Sequence, residues 1–449
     1  MKTQNPNLKM KNNNLKLKIV LFFLIILFGI LGLPKISLAA IINALSCSSI
    51  DVQSAINLAS PGDTVIVPPG NCTWSTQVNV NKNIILKGNL GSTITIAVGI
   101  NASADNFRIT GFNFVLGGAG TIIWVDQNTS QPQGLIDNNT FTTAGGGELI
   151  FVRNSTDTWK LDSPSGNQYN LYIENNIFTN TGAQGSEHCV NANYNANVVF
   201  RYNDVTNMNF DAHGVWSNGY GSQNSYAAGR CDWSRAANRS ARWYEIYNNY
   251  FTSGKYTNSI NLRGGTGVVF NNVITAGPGS DGIIFQEYCT GVGADGNCCP
   301  GSETIPRCNC IADYPLHYQI GRGRNETLEP LYLWNNVANG NQVVGYSYGG
   351  PLPQTIVGEN FPNETCIAAC GGPVPGYRYG GTWTDFSGII QENRDYYITQ
   401  KPGYIPYTCP HPLTGLTGSC DPTIAGRNGY NIAPPDTTPP AAPKNLTIL

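Results

Sequence analysis

Charged side chains make up only 12% of the 449 residues, about half the fraction usual in soluble proteins. With 41% apolar and 10% aromatic residues beside so little charge, the chain is not of the disordered kind. Basic residues are scarcer still once the N-terminus is set aside. Residues 1–39 hold six Lys and no acid, which leaves 20 basic against 28 acidic residues and a net charge of −8. That balance excludes nucleic acid and anionic membrane surfaces as partners, and a polyanionic glycan would need a local basic site. Apart from Ile19 to Leu33, no apolar run has the length to cross a bilayer. No Asp-Asp pair occurs after residue 39, and the whole chain has four His.

The one long apolar run is preceded by Lys2, Lys9, Lys11, Lys16 and Lys18 and followed by Pro34-Lys-Ile-Ser-Leu-Ala39-Ala40. Basic region, apolar core and small residues predict a signal peptide over 1–39, cleaved after Ala39 or Ala40. The alternative is an uncleaved anchor, since the run lies near the lower length for a span. All 13 Cys lie beyond it, as expected for a secreted or cell-surface protein folded in an oxidising compartment. Cys47 and Cys72 flank the first helix-and-strand unit and are an expected pair. Cys289, Cys298, Cys299, Cys308 and Cys310 crowd one segment, with Cys366, Cys370, Cys409 and Cys420 further on. Adjacent Cys and the lack of paired His fit zinc spacings badly, so disulfide-stapled loops are expected.

What the chain has in abundance is repetition. Ile122-Ile-Trp-Val-Asp126, Leu149-Ile-Phe-Val-Arg153, Cys189-Val-Asn-Ala-Asn193, Gly214-Val-Trp-Ser-Asn218, Ser259-Ile-Asn-Leu-Arg263 and Gly282-Ile-Ile-Phe-Gln286 alternate with the period of a half-buried strand. Each is followed by an Asn motif, at Asn139, Asn176, Asn203, Asn249, Asn272 and Asn336. The shortest spacings between those are 23 and 27 residues. Units that short must stack as coils around one continuous core. Asn side chains at successive turns can hydrogen-bond along the stack, so a structural ladder is expected of them. The coil domain is expected over 40–425, with a Pro-rich tail over 426–449 similar to a linker into a fibronectin-type-III-like strand.

The run Asp51-Val-Gln-Ser-Ala-Ile-Asn, Gly62-Asp-Thr-Val-Ile-Val-Pro-Pro-Gly70 and Ile84-Ile-Leu-Lys-Gly88 resembles the cap and first coils of pectin-lyase-like proteins. The resemblance implies an all-β, right-handed parallel β-helix over about 47–420, with an N-terminal capping helix. It is specific for fold; the superfamily holds lyases, hydrolases, epimerases, phage fibres and adhesins.

With Ile123, Ile150, Val190, Val215, Ile260 and Ile283 aligned as inward anchors, the outward columns follow. One holds Trp124, Phe151, Asn191, Trp216, Asn261 and Ile284. The next holds Asp126, Arg153, Asn193, Asn218, Arg263 and Gln286. A third, two residues before each anchor, holds Thr121, Glu148, His188, His213, Asn258 and Asp281. Insertions at 155–168, 219–240 and 288–325 leave from one edge and would wall a groove. Aromatic and amide side chains there suit sugar rings, giving Trp124, Phe151, Arg153, Asn191, Asn193, Trp216, Asn218 and Asn261 as substrate-binding candidates. The same ladders also stabilise stacked strands without any ligand.

Abstraction of the proton next to a uronate carboxylate needs a base, a cation and often Ca²⁺. Arg263 is the cation candidate, with Arg242 or Arg201 nearby in the repeat, and His188 or His213 is the base. Glu148, Glu187, Asp211 and Asp281 are candidate metal oxygens. Glu174-Asn-Asn-Ile-Phe178, Gly185-Ser-Glu-His188 and Asn261-Leu-Arg-Gly264 partly resemble the chondroitinase-B-like and alginate lyases, which eliminate with a Lys and an Arg. Arg263 stands where that family has Arg; Asn193-Tyr194 stands where it has Lys. Phe210-Asp-Ala-His213 is similar to the Asp-Pro-His motif of mannuronan C5-epimerases, with Ala212 in place of Pro. A polygalacturonase-like hydrolase would need paired carboxylates, which are lacking. The expected function is polysaccharide binding, with lyase-like cleavage or epimerisation; the rival is a non-catalytic adhesion or glycan-binding protein.

Overall fold

The computed structural model describes residues 39–89, 91–118, 120–127, 133–154, 165–182, 188–193, 195–213, 240–253, 258–277, 281–287, 320–323, 327–342, 357–358, 384–385 and 390–430. Strands from successive turns of the chain build three long sheets. The first has 11 strands, from Ile41–Asn43 to Tyr396–Tyr397; the second has 10, from Gly70–Trp74 to Asn341–Gln342; the third has 10, from Val78–Val80 to Thr384–Asp385. Pairing among the strands is parallel, save for two short antiparallel pairs at the far ends of the second and third sheets. One coil is Gly134–Asp137, Thr140–Thr143 and Glu148–Arg153; the next is Leu171–Glu174, Ile177–Asn180 and His188–Ala192. This is a parallel β-helix, as the repeat and the resemblance led us to expect.

Alternation makes the strands and stacking makes the core. In Ser92–Ile96, Ile94 and Ile96 are buried while Thr93 and Thr95 are half-buried. Like residues then stack from coil to coil. Phe114, Phe141 and Phe178 lie in register, with ring centroids 5.4 and 4.8 Å apart. Each fully buried ring contributes roughly 1.5–3 kcal/mol. The helix Ser49–Leu58 is capped by the Ser48 side chain, which accepts from the Asp51 N–H. It places Val52, Ala55 and Ile56 against the coil interior. Lys82 Nζ donates to the carbonyls of Ile56, Asn57 and Ala59 and neutralises the helix's negative end. The Cys47–Cys72 disulfide ties this cap to the first coil.

The turn between the first and second sheets is the same in six successive coils. Its first residue, Asn138, Asn175, Tyr202, Asn248, Asn271 or Asn335, has a left-handed φ of 53° to 56°. Asn tolerates that conformation better than other non-glycine residues. Its second residue is the ladder Asn. The backbone N–H and Nδ2 of Asn139, Asn176, Asn203, Asn249 and Asn272 each donate to Oδ1 of the next Asn along, at 2.9–3.2 Å. Nδ2 also reaches a carbonyl one coil back, as Asn203 does to Ile173. The expected structural role of these motifs is confirmed.

Beyond Tyr396–Tyr397 the chain lies across the outer face of the first sheet, where Tyr404 and Tyr430 pack with Tyr172, Tyr202, Tyr247 and Phe270. Buried Arg201 pairs there with Glu174 at 2.6 Å and donates to the carbonyls of Tyr407 and Thr408. Cys409–Cys420 closes the segment on itself.

Asn203→Ala strands the Asn176 N–H and Nδ2 without their acceptor and the Ile173 carbonyl without its donor. We expect a loss of about 3 kcal/mol in denaturant unfolding, against nearly none for exposed Asn341→Ala. Equal effects of the two changes would contradict a load carried by the ladder.

Candidate functional site

Third-sheet register decides which outward side chains meet. Asn101, Trp124, Phe151, Asn191, Asp211, Asn261 and Ile284 are neighbours in one column. Here one expectation is corrected. The strand above His188–Ala192 is Asn209–Ala212, so Phe210 takes the anchor place assigned to Val215. Its ring has the bulk to reach Phe200 across the core, at 5.2 Å between centroids. Asp211 therefore stands where Trp216 was expected. Trp216 and Asn218 lie outside the described residues, as does Glu187.

The same shift moves His213. It follows Ala212, and its N–H donates to the Ala192 carbonyl, just as Asn193 donates to Val152 and Arg263 to Ala212. His213 thus joins the column of Asp126, Arg153, Asn193 and Arg263, while Asn209 pairs with His188 in the column where His213 was expected.

Strict alternation would turn Glu148 and His188 inward, on the side of Ile150 and Val190. They face outward because the chain spends two successive residues on the core at this edge. Ile122 and Ile123, Leu149 and Ile150, and Cys189 and Val190 are all buried in the core cluster. Asn209–Ala212 lacks the extra residue, and the register slips between His188 and Val190. Such a bulge re-aims the side chain beside it. Cys189, the one free cysteine among the described residues, is the inward member. Burial pushes its thiol up, so it is not a nucleophile.

The outward side chains form one polar cluster. Asn191 Nδ2 donates to Glu148 Oε1 at 2.6 Å. His188 Nδ1 lies 2.5 Å from Asn209 Oδ1, and its Nε2 lies 3.5 Å from Asp211 Oδ2. Arg263 Nε lies 3.2 Å from Asp211 Oδ1, and its Nη1 is 3.4 Å from His213 Nε2. Donor chemistry then distinguishes the two histidines. A guanidinium only donates, so His213 Nε2 meets it with a lone pair. His188 differs, because both its ring nitrogens face oxygens, the Asn209 amide on one side and the Asp211 carboxylate on the other. Of the two, His213 is the one whose Nε2 presents a lone pair to the guanidinium.

Asp211 and Asn261 are fully buried, and Asn191, Phe151 and His213 are nearly so. The expectation of an exposed groove floor is corrected there: these residues point outward but are covered. The open end is at Trp124, half-buried, with the Arg153 guanidinium 5.5 Å above its ring and paired with Asp126. Burial raises the Glu148 carboxyl, opposed by His188 and the Asn191 hydrogen bond and assisted by Asp211. Arg201 and Arg242, expected near Arg263, are engaged elsewhere, with Glu174 and Glu329. Of the candidate oxygens, Glu148 accepts from Asn191, and Asp211 lies against His188 and Arg263. Among the described residues no three His, Cys, Asp or Glu side chains gather as a metal would require. Of Asp281 only the backbone is described.

Because Glu148 is held above its ordinary range, its neutral form favours the fold and its stabilisation is lost as pH rises through the raised value. Glu148→Gln keeps the acceptor for Asn191 and removes that loss. Melting midpoints of wild type and variant should agree in acid and separate, in the variant's favour, above the usual carboxylate range. A gap that does not change with pH would contradict this placement. No protein family, curated protein or solved structure matches this chain.

Proposed function

We propose that this chain is a secreted, pectin-lyase-like β-helix protein that holds an acidic polysaccharide along the outward face of the third sheet and cleaves it by elimination at a uronate. The observation that carries this reading is the contact of Arg263 with both His213 and Asp211, which sets a cation beside a base on one face. Secretion accords with the disulfides Cys47–Cys72 and Cys409–Cys420. A right-handed coil accords with the general handedness of parallel crossovers.

In this reading Arg263 meets the uronate carboxylate and stabilises the enolate-like anion. His213 Nε2 takes the proton next to the carboxylate. The electron pair left behind forms the ring double bond as the bond to the leaving glycosidic oxygen breaks. That oxygen receives a proton from His188 or from neutral Glu148. Trp124 and Arg153, at the open end, supply a face and a charge for a neighbouring sugar. A second reading, a glycan-binding protein without turnover, is favoured by one observation: Arg263 is already paired with buried Asp211.

Polygalacturonate, alginate and glycosaminoglycans, each with and without added Ca²⁺, provide the test, read by the ultraviolet absorbance of the unsaturated product. Wild type should produce it on one polyuronate. Arg263→Ala and His213→Ala should each lose roughly 10²–10⁴-fold in rate with unchanged melting. Affinity without product would establish the second reading; neither affinity nor product on any of them would remove both.

A further inference from the structure

Among the groups of the cluster, two neighbours stand out by what they do not accept. Asp211 is fully buried and sits in charge contact with His188 and Arg263. Neither of its oxygens accepts a hydrogen bond. Asn191, 3% exposed and adjacent to it in register, spends its Nδ2 on Glu148 while its Oδ1 accepts nothing. Three acceptor oxygens without a hydrogen bond therefore belong to two residues paired on adjacent strands, and each such oxygen costs free energy while buried in that state. The buried pair of Arg201 with Glu174 differs. There Glu174 accepts from the His411 N–H and the Tyr430 hydroxyl as well as from Arg201.

We propose that Asn191 and Asp211 form a hydroxyl-reading pair, which selects a uronate whose ring carries two adjacent free hydroxyl groups. The inference rests on the polysaccharide reading and narrows it. Arg263, one strand further on, takes the carboxylate; the two acceptors take the hydroxyl protons of the same ring. Acidic glycans whose ring hydroxyls are acylated or sulfated lack those donors and are excluded by unpaired buried acceptors, which is how a hydrogen-bonding site rejects an analogue most strongly.

Calorimetric titration of the whole secreted chain with alginate and polygalacturonate, each native and with its ring hydroxyls O-acetylated, tests the pair. The native form of at least one polymer should bind, and acetylation should weaken it roughly tenfold or more. Asn191→Leu, which removes the orphan acceptor, should bring the native and acetylated affinities within about threefold of each other, since one acceptor's share of the discrimination is lost. An unchanged melting midpoint shows that the face is intact. Equal wild-type affinity for both forms would overturn the pair while leaving the polysaccharide reading in place. Binding of neither polymer in either form would overturn the reading itself, and the pair with it. Should Asn191→Leu fail to fold, Asn191→Asp keeps an acceptor and must retain discrimination; its loss there would also count against the pair.

Discussion

Register between coils is the constraint on which the rest of this structure depends. A strand shifted by one residue would turn every buried side chain outward, and the Asn ladder makes that shift costly. Each rung satisfies a buried backbone N–H with an amide oxygen from the next coil, so neighbouring coils meet in one alignment only. The left-handed residue before each rung forces the chain round the corner at the same point. Five of the six such positions are Asn, and the sixth is Tyr202, whose ring packs against Tyr247 and Tyr430. Packing at that place compensates for a backbone conformation that a bulky residue adopts at a cost of order 1 kcal/mol.

Given that register, a small local departure creates the candidate site. Two consecutive inward residues at the entry to the third sheet break the alternation, and the break turns Glu148 and His188 onto the outer face. Without it both would compete for space with Ile150 and Val190 in an apolar core, where a charged group is costly. The same departure is absent from Asn209–Ala212, which lets Asp211 come level with Asn191 and face His188. Fold and site thus draw on one feature, the count of residues each coil spends on the core.

Much of this was legible in the residues. Alternation and Asn spacing identified the coil and the ladder, and Cys47 with Cys72 was paired correctly. Columns built from Ile123, Ile150, Val190, Ile260 and Ile283 match the observed register. The failure came at the fourth strand, where Gly214-Val-Trp-Ser-Asn218 and Asn209-Phe-Asp-Ala212 both alternate. Periodicity alone does not choose between them. The missing signal was the shortness of the link from Asp204–Thr206, together with a Phe of the right size to fill the core. By sequence pattern Asp211 is therefore only a candidate metal oxygen, whereas in the fold it is the centre of the cluster. Burial of the outward column was illegible for a different reason: it is decided by tertiary packing, not by strand period.

Two buried ion pairs in one molecule show why burial and charge do not by themselves mark a functional site. Arg201 and Glu174 are wholly buried beneath the C-terminal segment, yet every polar contact around them is closed. Arg201 donates to Tyr247 Oη and two carbonyls, and Glu174 accepts from a backbone N–H and a hydroxyl. Such saturation is what a structural pair needs, since desolvating two charges is offset only when their remaining hydrogen-bonding capacity is filled. The pair of Arg263 with Asp211 is equally hidden, but its carboxylate has charge contacts and no hydrogen bond. A pair left in that state stabilises the fold less than the chemistry of its groups allows. Its position, level with two histidines and a neutral-leaning carboxyl, gives the deficit a use: the interactions withheld from the resting protein are available to a ligand that brings hydroxyl donors to that face.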